Sequence, residues 1–74
     1  MNVYEFVNEW KNLTGPRDQF LTTVVITSKY YQLEINGIHI NHIELLDDSI
    51  IIYTWNNRQN RLLITSDLSF ELKN

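Results

Sequence analysis

The chain has 74 residues, no cysteine, and nine acidic against six basic side chains, for a formal net charge of −3. That length permits one domain with a small core, and the missing thiols exclude disulfide staples and thiolate metal sites. The charge balance argues against nucleic acid as the partner, because phosphate neutralisation needs a basic excess. It is also too thin for a polyanion mimic.

The core must come from packing, supplemented if necessary by oligomerisation, and a hydrophobic content of 43% is adequate for it. Alanine is absent while asparagine and isoleucine abound, the bias an AT-rich genome imposes. No apolar run nears the roughly 20 residues of a bilayer span. The opening MNVYEFVNEW lacks the basic and apolar regions of a signal peptide. No membrane association and a cytoplasmic location are therefore expected.

Val3, Phe6, Val7, Trp10 and Leu13 recur on one helical face, which predicts a helix from about residue 3 to 14. Asn2 is placed to cap it, with Glu5 three residues on. Gly15 and Pro16 should end it, leaving a linker over 15–19. The period then changes from 3.6 to 2, and strands are expected over about 20–27, 30–36, 38–46, 49–55, 61–66 and 69–72. Ser28-Lys29, Asp47-Asp48, NNRQN and Ser66-Asp67 supply turns, and Asn36-Gly37 reads as a type I′ hairpin. The expected fold class is α+β, a helix followed by a four- to six-stranded antiparallel meander forming one domain over 1–74.

The hairpin at Asn36-Gly37 would set Leu33 against Ile40, Glu34 against His39 and Tyr31 against His42. Closure at Asp47-Asp48 would set His42 against Tyr53. His39 and His42, three apart on a strand, then leave opposite sides of the sheet. With no carboxylate joining both, the geometry contains no three converging metal ligands. TGPRDQ has one glycine and no lysine, so it is not a phosphate-binding loop. None of the four serines sits in a nucleophile elbow. The chain is expected to be no enzyme, with no catalytic residue, metal or cofactor.

Two features carry the remaining expectations. Under that pairing, Tyr31, Leu33, Ile35, Ile38, Ile40, Ile51, Tyr53, Trp55, Leu62 and Ile64 share one face. Tyr30, Ile43, Leu45, Ile50 and Ile52 form a second apolar patch, and a helix of about 16 Å cannot cover both. Either the sheet coils over the second patch, or a protein partner or second copy does. The other feature is the loop WNNRQNR, where Trp55, Arg58 and Arg61 could stack a base or clamp an anion. A solvated hairpin tip is the plainer account of the same residues.

A helix followed by a meander of about five short strands, ending ITSDLSFEL with a one-turn break before the last strand, resembles the order of elements in Sm-like and other SH3-like small barrels. The resemblance covers most of the chain as a pattern, without a motif matched residue by residue. It implies a sheet coiled into a small barrel and carries no RNA binding over, because fold does not give function. The function expected is a non-enzymatic protein-interaction module whose partner the sequence does not identify. A regulator or inhibitor of a larger protein, of the kind mobile elements such as phages encode, fits that description. The competing class is a nucleic-acid-binding small barrel using Trp55, Arg58 and Arg61.

Overall fold

The computed structural model describes residues 1–13 and 15–74. Helix α1 (Val3–Asn12) opens as its sequence dictates, with the Asn2 side-chain oxygen accepting from the Glu5 N–H at 2.8 Å. Its apolar stripe of Val3, Phe6, Val7 and Trp10 is buried. Leu13 is the C-cap with extended backbone, so α1 stops two residues before the expected end, and Thr14 lies outside the described residues. The expected linker is instead a second short helix, α2 (Gly15–Phe20). A proline is tolerated in a first turn, where its missing N–H would have no partner and its φ is already helical.

The strands are β1 (Thr23–Thr27), β2 (Gln32–Asn36), β3 (Ile40–Leu45), β4 (Ser49–Thr54), β5 (Gln59–Leu63) and β6 (Ser69–Lys73). The α+β class, with an N-terminal helix and antiparallel strands, is as the sequence implies. The strands form two three-stranded sheets, ordered β2-β1-β6 and β3-β4-β5. Consecutive strands pair throughout the second sheet, whereas β6 returns to lie beside β1 in the first. The sheets do not close into a barrel.

The largest departure lies at Asn36-Gly37. Asn36 has φ −68° and ψ 135°, and Gly37–His39 form one 3-10 turn, so there is no type I′ hairpin. β2 pairs with β1, setting Glu34 against Val25 rather than His39. The glycine is needed for close approach. Its N–H donates to the Thr22 carbonyl at 2.7 Å, and a Cβ there would lie 1.8 Å from the Gln19 carbonyl oxygen.

The hairpin over Asp47-Asp48 forms in the expected register, with His42↔Tyr53, Ile43↔Ile52 and Leu45↔Ile50. A bulge between Ile40 and His42 lets Ile40 and Ile43 both point inward although they are three apart. The 3-10 turn and the bulge together reset which face is internal, because one residue of shift inverts every side chain of a strand. Leu33 and Ile35 of β2 therefore pack against the same core as Ile50 and Ile52 of β4.

That core joins α1 to Val24, Ile26, Ile40, Ile43, Ile50, Ile52 and Phe70. Phe6 stacks on Phe70 with ring centroids 4.8 Å apart, a pairing that contributes about 0.5–1.5 kcal/mol beyond burial. Among the described residues no helix is long and apolar enough to cross a membrane.

Two consequences can be measured. Ile50 and Ile52 are each 0% exposed, so replacing both by threonine buries two hydroxyls and opens two gaps, at about 2 kcal/mol or more each. Against a net stability of about 4–11 kcal/mol for this length, the double variant should lose much of its thermal stability. A double variant that melts near the wild-type temperature would contradict this packing. Gly37→Ala drives a methyl into two carbonyl oxygens and should cost about 3 kcal/mol or more in chemical denaturation.

Candidate functional site

The five residues expected to form a second apolar patch do not form a free surface. Ile43, Ile50 and Ile52 are inside the core and Leu45 packs against it, while Tyr30 alone projects, 84% exposed. The reason is the inversion described above, which turns the β3–β4 inner face toward α1 and the first sheet.

Trp55, Arg58 and Arg61 also part company. The loop after β4 is tight, with the Thr54 N–H donating to the Arg58 carbonyl at 3.0 Å and the Asn57 N–H to the Thr54 carbonyl at 3.1 Å. Asn57 takes a left-handed φ of 65°, which asparagine accepts more readily than most residues. The Thr54 hydroxyl donates to the Asn56 side chain. β5 begins at Gln59, so Arg61 lies mid-strand opposite Ile51. There it faces Asp48 across 3.9 Å, both side chains being largely exposed, a pairing that contributes little.

Two clefts result. The first, of about 330 Å³, gathers His39, Thr54, Trp55, Asn56, Arg58 and Asn60 over Ile35. His39 is there because the 3-10 turn carries it, and its carbonyl accepts from the Trp55 N–H at 3.1 Å. The sequence singled out Trp55 and Arg58 but had paired His39 elsewhere. The second cleft, of about 410 Å³, lies between the 28–31 loop and β5 and is lined by Tyr30, Tyr31, Arg61, Leu63 and Asp67 among others. Leu63 (64% exposed) and Tyr31 (47%) join Tyr30 there, and neither was singled out as a partner residue. β5 is the last strand of its sheet, so among the described residues its outer edge carries no neighbouring strand.

Asp67 organises the second cleft. Its carboxylate accepts from the Thr65 hydroxyl and from the Lys29 N–H at 2.9 Å, tying the loop that bears Tyr30 and Tyr31 to the turn before β6. The Ser28 hydroxyl oxygen accepts from the Tyr30 and Tyr31 N–H groups at 3.1 and 3.2 Å, holding the same loop from inside. The Thr65 hydrogen bond, followed by that from the Lys29 backbone, holds the Asp67 carboxyl below the usual carboxylate range.

His42 stacks on Tyr53 at 4.2 Å, nearly parallel, as the hairpin register implied. It is exposed, however, on the outer face of the second sheet, and Tyr31 is not beside it. The Tyr53 hydroxyl donates to Glu44 at 2.9 Å. That hydrogen bond, followed by desolvation and the negative charge of Glu44, raises the Tyr53 hydroxyl above the ordinary tyrosine value. Among the described residues no group of three or more His, Asp or Glu side chains is placed to hold a metal ion.

No protein-family model matches the chain, nor does any curated protein or solved structure match it.

A folded-state carboxyl value lowered by its partners contributes stability above the unfolded value and loses it as pH falls through the folded one. The tie from Asp67 to Lys29 is therefore present at neutral pH and should release below the ordinary aspartate range. Asp67→Ala should raise the amide hydrogen-exchange rates of Lys29, Tyr30 and Tyr31 at neutral pH while leaving β4 protected. Unchanged exchange at all three would show that the carboxylate does not hold the loop.

Proposed function

We propose that the chain is a non-enzymatic protein-interaction module acting in the cytoplasm, and that its contact surface is the cleft between the 28–31 loop and the edge of β5. One observation carries this reading: Tyr30, Leu63 and Tyr31, three large apolar side chains largely outside the core, line one cleft beside an unpaired strand edge. Tyrosines bring large apolar contact area with few rotatable bonds. A strand edge offers main-chain donors and acceptors to an extended segment of a partner, and Arg61 and Asp67 add one charge of each sign. A regulator or inhibitor of a larger protein fits this design, since the chain would work by occupying a surface.

Leu63→Asp and Tyr30→Ala act on exposed side chains and should change stability by less than about 0.5 kcal/mol each. Together they should abolish retention of the partner when the tagged protein is recovered from its native host, with Trp55→Ala as a control that retains it. If the double variant recovers the same proteins as the wild type, this cleft is not the contact surface. Sedimentation of the wild type, with and without Leu63→Asp, reads whether a second copy of the chain is the occupant.

A further inference from the structure

We infer that the other cleft, between the Gly37–His39 turn and the loop after β4, is a binding site for a planar ring bearing one anionic group, in the chemical class of a purine nucleoside monophosphate. The inference rests on a surface separate from that proposed above, so either can fail alone. Four observations converge on it.

The charge in the cleft has one sign. Its seven lining residues, Ile35, His39, Thr54, Trp55, Asn56, Arg58 and Asn60, include no carboxylate, in a chain whose net charge is −3. Among the described residues the one ion pair an arginine makes is that of Arg61 with Asp48. The Arg58 guanidinium thus keeps its fork of donors for a phosphate or carboxylate. Second, Trp55 is 61% exposed and presents an indole ring in the same cleft, a surface on which a base can stack.

Third, the loop is already ordered for binding. The Thr54–Arg58 and Thr54–Asn57 backbone hydrogen bonds fix its turn, and the Trp55 N–H is anchored to the His39 carbonyl. The backbone of the turn is thereby fixed, so that a ligand has chiefly the Arg58 and Trp55 side chains to order. Fourth, the side-chain amide of Asn60 brings a donor and an acceptor together, the pair that adenine N7 and its exocyclic amine answer. Asn56 adds an amide donor while its oxygen accepts from Thr54.

Size and charge favour a single nucleotide over a strand. About 330 Å³ lies at the small end of ligand sites, which run from about 300 to 1,000 Å³. A polymer would need further cations along its path. Arg61, the next arginine along the chain, belongs to the other cleft.

The test is a set of amide chemical-shift titrations of the full chain with adenosine monophosphate, adenosine, inorganic phosphate and a single-stranded oligoadenylate. Adenosine monophosphate should shift His39 and residues 54–60 saturably, with adenosine and phosphate each weaker by about tenfold or more. Arg58→Gln should weaken the nucleotide about tenfold and leave adenosine unchanged, with Arg58→Lys intermediate. Trp55→Ala should weaken both, and Arg61→Gln neither. Both altered side chains in the cleft are exposed, and the amide spectra themselves report whether each variant is folded. If Trp55→Ala loses the fold, Trp55→Leu removes the aromatic face while keeping apolar bulk. The inference is overturned by unshifted cleft residues at millimolar nucleotide, or by an equal loss with Arg61→Gln, which would indicate diffuse charge. Oligoadenylate binding more than about tenfold tighter than the mononucleotide would overturn it too, by making a strand the ligand.

Discussion

The structure turns on the contact between Gly37 and the end of α2. A hydrogen at that Cα allows the Gln19 and Thr22 carbonyls to approach closer than any side chain would permit, and the Gly37 N–H then donates to Thr22. The contact ends β2, tips the chain through a single 3-10 turn, and starts β3 in a different sheet. Together with the bulge between Ile40 and His42, it accounts for the departure from a simple meander. The two sheets face one another across one core, β6 is free to join β1, and the inward-facing set on β3 and β4 is the one that contains Ile43, Ile50 and Ile52.

That arrangement resolves how a ten-residue helix suffices for so apolar a chain. α1 does not have to cover two opposite sheet faces, because the inner faces of the two sheets cover each other and α1 packs on β6 at one end. The outer faces are left with residues that tolerate water. Val25 and Ile51 are the buried exceptions, each on a central strand, and Leu63 of β5 is an exposed one. Their cross-strand neighbours, Glu34 and Glu71 for Val25 and Glu44 and Arg61 for Ile51, are long enough for their aliphatic stems to shield them.

The same contact sorts the polar residues into two distinct clefts. By carrying His39 onto the 3-10 turn, it brings an imidazole beside Trp55 and Arg58 and builds a cationic, aromatic cleft from segments some twenty residues apart in sequence. Further along β5, the 28–31 loop, fastened by Ser28 and Asp67, sets Tyr30 and Tyr31 beside Arg61, Leu62 and Leu63. One small domain thereby presents two clefts of different lining, one with Trp55, His39 and Arg58 and one with Tyr30, Tyr31 and Leu63.

What the sequence determined by itself is what short-range physics controls. The stripe of Val3, Phe6, Val7 and Trp10 with the Asn2 cap specifies α1, since a helix is closed by neighbours three and four residues away. The alternation and turn residues around Asp47-Asp48 specify β3, β4 and their register, including the His42–Tyr53 pair, because a hairpin is a local object. Only the tertiary structure decided the role of Gly37 and the inward face of the hairpin. It also decided the separation of Arg58 from Arg61 and the company His39 keeps. An Asn-Gly pair satisfies a type I′ turn as readily as it admits a close backbone approach, and the choice between them was made by the Gln19 and Thr22 carbonyls of another segment. Periodicity says that a strand has two faces, whereas which of them meets the core depends on contacts that no local window contains.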